Sequence, residues 1–251
     1  MKRSTAERLI EINTQFYAEE AQSFDQTRQA PWHGWYRSVD SIIPMLGRNN
    51  ADQEISVLDL GCGNLRFEDF LVQRFPDQGF RFYAIDNCDA LLSDKANLNF
   101  IHADILSLLL QGSLKIGVSP CNLSVCFGLM HHVPSLALRK QVLNFLVEQT
   151  EPGGYLICSF WQFMDNSALA ARALAITPQA QEELGIDNLD AGDYFLGWQH
   201  REGVYRYCHH FSREEIDELI AAVAHTTVLI DRFNDDGKTQ KQNAYIVLQR
   251  N

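Results

Sequence analysis

The spacing of apolar positions changes several times along the chain, and each change marks a new element. Leu9, Ile12, Phe16 and Tyr17 recur at helical spacing and predict an N-terminal helix, and Trp35 to Leu46 reads as a second. Ile55 to Leu60 is a short apolar, β-branched run with the composition of a buried strand, and Phe67, Phe70, Leu71 and Phe75 return to helical spacing. The alternation continues with strands over Phe80 to Asp86, Leu98 to His102 and Asn122 to Phe127. A helix over Leu136 to Gln149 and a strand over Tyr155 to Trp161 complete it. Strands separated by helices predict an α/β fold on a mostly parallel sheet, with helices on both faces.

Residues 162–205 break this rhythm with an alanine-rich helical stretch, Ala168 to Ala175, followed by Thr177-Pro178 and an acidic segment. They read as an insertion over the carboxyl edge of the sheet. Ser212 followed by Glu215 is a capping-box signal for a helix running to about Val223. Thr226 to Phe233 and Asn243 to Gln249 flank Asn234-Asp235-Asp236-Gly237 and predict an antiparallel edge hairpin. The expected organisation is a helical cap over 1–50, a ligand-binding core over 51–161, a substrate-side insertion over 162–211, and a helix with edge strands over 212–251.

Chemistry enters at Gly61-Cys62-Gly63, between the first strand and its helix. Glycines here let the backbone approach a ligand without a Cβ in the way. Strand, glycine turn and helix together form the context of a nucleotide-binding loop. The third glycine of the dinucleotide fingerprint is missing, because Leu65 and Phe67 occupy that region. Three strand ends carry acids, Asp59, Asp86 and Asp104. Asp86 stands close to the usual spacing, about 20 residues, at which an acid meets a ribose diol. Asp104 is placed to accept from the exocyclic amine of an adenine.

Val57-Leu58-Asp59-Leu60-Gly61-Cys62-Gly63, Ile85-Asp86, His102-Ala103-Asp104 and Glu151-Pro152-Gly153-Gly154-Tyr155 together resemble the motif series of class I S-adenosylmethionine-dependent methyltransferases. The resemblance covers roughly residues 55–161 and implies a Rossmann-like, seven-stranded sheet with S-adenosyl-L-methionine as cofactor. It implies a cofactor pocket built from Asp59, Gly61, Gly63, Asp86, Asn87, Asp104, Ile105 and Phe127, with Arg28 reaching in from the cap. The absent third glycine fits it, because this cofactor has no pyrophosphate to cradle.

Three further segments lie outside that series: Phe24 to Trp32, Met130-His131-His132, and Gly192 to Trp198 with Arg206-Tyr207-Cys208-His209. Together they resemble the methyltransferases that esterify 5-carboxymethyluridine at the tRNA wobble position. That resemblance implies Arg28, Trp32, Arg206, Tyr207 and His209 as acceptor-binding residues, and His131 and His132 at the methyl-transfer site. Paired histidines are also candidate bases near neutral pH. The third segment departs from the family in reading Arg-Tyr-Cys-His, and Gly197-Trp198 stands where Pro-Trp is expected. A carboxylate acceptor needs no strong base. It needs a cation to hold it, and Arg28 and Arg206 are suited to that.

Charge pulls against a polyanionic acceptor. The 251 residues carry a formal net charge of −11, whereas phosphate binding calls for a basic patch. A methyltransferase for a small carboxylic acid therefore stays open, as does a cofactor-binding subunit without catalysis. A small activator protein as partner stays open too. Six cysteines are scattered without a Cys-x-x-Cys pair, which argues for reduced thiols in a cytoplasmic protein and against zinc. No apolar run reaches the roughly 18 residues of a membrane span, and no signal-peptide core is expected.

Overall fold

The computed structural model describes residues 1–27, 29–42, 54–88, 97–112, 114, 116–199 and 201–251. A seven-stranded sheet runs β1 (Ile55–Leu60), β2 (Phe80–Asp86), β3 (Leu98–His102), β4 (Cys121–Cys126), β5 (Thr150–Trp161), β8 (Thr227–Asp235) and β9 (Asn243–Arg250), in the spatial order β3-β2-β1-β4-β5-β9-β8. The first five pair in parallel, while β9 is antiparallel to both β5 and β8. The expected mostly parallel sheet with an antiparallel edge hairpin is therefore present. The order reverses between β1 and β4, and in open α/β sheets ligands bind at the carboxyl ends of such strands.

Period-2 alternation sorts the core into two layers. Leu58, Leu60, Cys126, Leu156, Ile246 and Leu248 face one side of the sheet. There they pack against α1 (Arg3–Asp25), α4 (Ile105–Gln111), α5 (Leu136–Glu148) and α7 (Arg213–Val223). Val57, Leu123, Ile157 and Val247 face the other, under α2 (His33–Asp40) and α3 (Arg66–Arg74). Gly34 lets α2 lie against the sheet, because a Cβ there would sit 2.3 Å from the Tyr245 ring. Each large side chain removed from water in these layers contributes about 1.5–3 kcal/mol.

The insertion is more ordered than its sequence suggests. Helix α6 (Ser167–Leu184) is twice the expected stretch and carries Pro178 internally. Asn166 caps it by accepting from Ala168 and Leu169 N–H. A hairpin of β6 (Asp193–Trp198) and β7 (Arg201–His209) follows, which the apolar pattern did not announce. The insertion packs on α1 through Leu9, Ile12, Ala180, Phe195, Tyr205 and Tyr207. Two other expectations change at their edges. Helix α2 is described only to Asp40, and the predicted continuation over 43–46 lies outside the described residues. Ser212 does cap α7 through Glu215 N–H, but the Glu215 carboxylate turns instead to His209 and Arg139, so the box is half formed.

Candidate active site

A cavity of about 620 Å³ opens at the carboxyl ends of β1 and β4, and one of about 70 Å³ adjoins it beside β2 and β3. Tyr17, Gly61, Asp86, Asn87, Leu129 and His132 line both. A total of this size suits a nucleoside cofactor together with a small acceptor.

The glycine loop is welded to the next strand. Gly63 N–H donates to Asp86 Oδ2 at 2.9 Å, and Cys88 N–H donates to Asp86 Oδ1 at 2.9 Å. Burial pushes the Asp86 carboxyl above its usual range, against these backbone bonds. Each oxygen keeps a lone pair, so a diol beside it meets a carboxylate already oriented. Gly61 has φ +78° and a Cβ there would meet Leu129 at 2.9 Å, so both backbone and packing require glycine. Gly63 faces open space. Leu65, in the region of the missing third glycine, holds φ +62° while fully buried. The loop thus keeps a left-handed bend there without a glycine.

Asp59 projects to the α3 side and shares a hydrogen bond with Glu68; both are buried. Burial, then the charge of Glu68, pushes the Asp59 carboxyl well up, and its Oδ1 has no hydrogen-bond partner. A buried acceptor in this state is matched by a cationic or N–H-bearing ligand group. Asn87 and Ile105 also border the smaller cavity, and Phe127 borders the larger. Asp104 lines the smaller one too, but its carboxylate accepts from Ser107 N–H at 3.0 Å and Ser107 Oγ at 2.7 Å as the N-cap of α4. The expected bond to an adenine amine would use its remaining lone pairs. The arrangement fits a nucleoside bearing an amino-acid tail.

On the acceptor side, the structure brings together some expected residues and removes others. Trp32, His131, His132 and Arg206 all line the larger cavity. Arg28 lies outside the described residues. Tyr207 and His209 do not line it. Tyr207 is fully buried with its hydroxyl on Asp193 at 2.6 Å, and His209 is locked between Asp193 at 2.7 Å and Glu215 at 2.6 Å. The reason is strand alternation: Arg206 and Tyr207 point to opposite faces of β7, and only the Arg206 face meets the cavity.

His132 is a framework residue by its surroundings. Its Nδ1 lies 2.9 Å from Tyr207 O and 3.0 Å from Asn13 Nδ2, and its Nε2 lies 2.7 Å from Tyr17 Oη; with the proton on Nδ1 it donates to Tyr207 O while Nε2 accepts from Tyr17. Burial and the neighbouring Arg206 cation lower its pKa to about 3. An imidazole of that basicity is a poor general base at neutral pH. His131 packs on Trp161 with ring centroids 5.0 Å apart. Donor atoms of His131, His132 and Cys208 lie within 4.8 Å of one another. Burial raises the Cys208 thiol to about 12, and His132 has both nitrogens committed, so the cluster is a poor offer to a metal.

Arg206 is the least ordinary group. It is 7% exposed, and its Nε has no hydrogen-bond partner. No ion pair among the described residues involves it. Its guanidinium lies 5.3–5.9 Å from the ring centroids of Phe16, Phe24, Trp161 and Trp198. Aromatic faces stabilise a cation but do not neutralise it. The roof of the cavity is tied to the glycine loop. Asn64 Nδ2 donates to Asp25 Oδ1 at 2.6 Å, and Arg66 Nη1 donates to Ala30 O at 2.7 Å. Tyr17, Glu68, Trp161 and this Asn64–Arg66 tie escaped the sequence reading. Only the spacing of Tyr17 four residues after Asn13 on the apolar face signals one of them.

Residues 28–224 match the methyltransferase domain family. Among solved structures the chain is similar to a methyltransferase of the S-adenosylmethionine-dependent class from Methanosarcina mazei, with 17% identity, TM-score 0.55, and coverage of 78% of this chain and 92% of that one. A second such structure from Clostridium acetobutylicum shows 13% identity, TM-score 0.53, and coverage of 93% and 98%. An amino pentose methyltransferase from Micromonospora echinaspora shows 15% identity, TM-score 0.50, and coverage of 92% and 96%. At these identities the likeness is one of fold. No curated protein matches the chain in sequence. With the family match spanning most of the chain and the seven-stranded sheet with its antiparallel edge in place, the protein belongs to the methyltransferase domain family and is an enzyme of the S-adenosylmethionine-dependent methyltransferase fold.

Proposed function

We propose that the protein transfers a methyl group from S-adenosylmethionine to the carboxylate of a small organic acid. The observation that carries this reading is Arg206, a buried cation without a counter-ion among the described residues, at the wall of the larger cavity. A charge in that position is expensive unless an anion completes it. A planar guanidinium matches a carboxylate with two parallel hydrogen bonds.

S-Adenosylmethionine, when bound, supplies a sulfonium methyl that an oxygen nucleophile takes while the C–S bonding pair stays on sulfur. Asp86, Asn87 and the backbone around Gly61 and Gly63 would hold its nucleoside, and Asp59 its charged tail. The acceptor is already ionised at neutral pH, so no residue has to remove a proton. Opposite charges are cancelled in the reaction, which a low-polarity setting such as the ring-lined wall around Arg206 favours. Arg206 orients the carboxylate and contributes to binding more than to the chemical step. Arg206→Ala is expected to raise KM for the acceptor about 10–100-fold, with a smaller fall in kcat.

A second reading, esterification of a carboxymethyl group on the tRNA wobble uridine, is favoured by one observation. Parts of all three segments that carry that resemblance border the same cavity, at Trp32, His131 and Arg206. Against it stand the net charge of −11 and the acids Asp25, Asp235 and Asp236 around the cavity. Methyl-labelled S-adenosylmethionine incubated with a metabolite extract and, separately, with total tRNA separates the two. Label in the small-molecule fraction supports the first reading, and label confined to tRNA replaces it with the second. Calorimetric titration with S-adenosylhomocysteine tests the shared cofactor assignment, and absence of binding would remove both.

A further inference from the structure

Among the described residues Arg206 has no ion pair to fix its direction, so its aim depends on the backbone that carries it. That backbone is clamped from outside the hairpin. Asn13, on α1 and 6% exposed, brackets the next residue with its carboxamide. Asn13 Nδ2 donates to Tyr207 O at 3.0 Å, and Tyr207 N–H donates to Asn13 Oδ1 at 2.8 Å. These are the two bonds that a neighbouring strand would supply, here delivered by one side chain to the edge of β7 facing away from β6. His132 adds a third bond to the same carbonyl at 2.9 Å. Tyr17, one helical turn beyond Asn13, closes the ring by donating to His132 Nε2 at 2.7 Å. Thus α1, β7 and the segment after β4 meet at a single peptide group beside the acceptor cavity.

We infer that Asn13 is a positioning residue: it fixes the backbone of Tyr207 and so aims Arg206 at the acceptor. This rests on the reading of Arg206 as the holder of the acceptor's anion. A residue that merely filled space could be replaced by any side chain of its size. Asn13 supplies one donor and one acceptor in fixed order to the two peptide groups that flank the Tyr207 Cα, one of them shared with Arg206, and the isosteric Asp supplies only acceptors.

The test uses the full chain labelled with ¹⁵N, with benzoate as carboxylate probe and S-adenosylhomocysteine as control for the cofactor site. Arg206→Lys assigns the Arg206 Nε–H resonance. In Asn13→Ala, benzoate affinity is expected to fall about tenfold while S-adenosylhomocysteine affinity stays within about twofold. Asn13→Asp, of equal size, keeps the bond from Tyr207 N–H and loses the other. It should lower benzoate affinity less than the alanine variant and shift the His132 ring nitrogens toward the imidazolium form. It also serves where the alanine variant does not fold. Wild-type benzoate affinity in both variants, with the Arg206 resonance unmoved, overturns the inference. Should the wild-type protein bind S-adenosylhomocysteine but not benzoate, the carboxylate reading fails by itself. The positioning role is then judged on the ligand-free Arg206 resonance, where movement in both variants supports it and an unchanged position overturns it.

Discussion

Single residues in this site are held in states that water would not allow. Asp59 is the clearest case, because burial and Glu68 raise its carboxyl well above the ordinary range. A carboxyl with a raised folded-state pKa binds its proton more tightly folded than unfolded. Its contribution to stability is therefore lost as pH rises from the ordinary carboxylate value through the folded one. Asp59→Asn should remove that loss, raising the melting temperature at pH 7 by about 2–4 °C per kcal/mol recovered. The same variant should weaken S-adenosylhomocysteine about tenfold, because a neutral carboxamide replaces the carboxyl that faces the ligand's cationic group and turns an N–H donor toward it. Thermal melts and calorimetry on one preparation check both, and a variant neither stabilised nor weakened in binding would contradict this role. Leu65 makes a related compromise. Its left-handed backbone costs about 1 kcal/mol, and full burial of its side chain outweighs that. Leu65→Gly is thus expected to destabilise the fold despite relieving the backbone, by about 1–3 kcal/mol in urea denaturation.

Among elements, the inserted hairpin brings Arg206 to the larger cavity, and a buried chain of charges anchors it. His209 bridges Asp193 on β6 and Glu215 on α7, and Glu215 reaches Arg139 on α5 at 2.7 Å. Burial alone would lower the His209 pKa, but its hydrogen bonds to Asp193 and Glu215 outweigh burial and raise it. The sign follows. Stability from a protonated His209 is fully present below its unfolded value near 6.5 and is lost as pH rises through the folded value. His209→Gln should cost about 3–5 kcal/mol at pH 6, a drop on the order of 10 °C. It should also flatten the alkaline fall in melting temperature, and an unchanged pH profile would contradict the anchor. This element was hardly legible in the sequence. The core strands announced themselves because each is an apolar run ending in an acid or a glycine turn. The hairpin strands mix Asp193, Gly197, Arg206 and His209 with aromatics, and the partners of Asp193, Tyr207 and His209 lie on other strands and helices, 6 to 194 residues away. Asn13 shows the same limit: a lone polar residue in the apolar stripe of α1 signals something, but only the fold shows that its partner is Tyr207.

At the scale of the whole molecule, the mostly parallel sheet, its antiparallel edge hairpin and the cofactor loop followed from motif and period, whereas the strand order and its switch point came from the structure. The acceptor pocket needed three distant segments to be brought together, so its contents followed only in part. Arg206 was legible as a candidate cation, whereas its isolation among four rings was not. None of the helices among the described residues is long and apolar enough to cross a membrane. Net charge of −11 with a buried positive centre disfavours polyanions in general and underlies the proposal of a small anionic acceptor. The chemistry of the product supplies the most direct test. A methyl ester is cleaved by mild alkali to methanol, whereas methyl groups on nitrogen or carbon are not. The purified protein is incubated with methyl-labelled S-adenosylmethionine and a metabolite extract, and volatile label released by alkali is measured beside the Arg206→Ala variant. Alkali-released labelled methanol is expected from the wild-type reaction, with a fall of about 10–100-fold for the variant at limiting acceptor. Label transferred in an alkali-stable form, or transfer equal in the two proteins, would contradict the carboxylate reading.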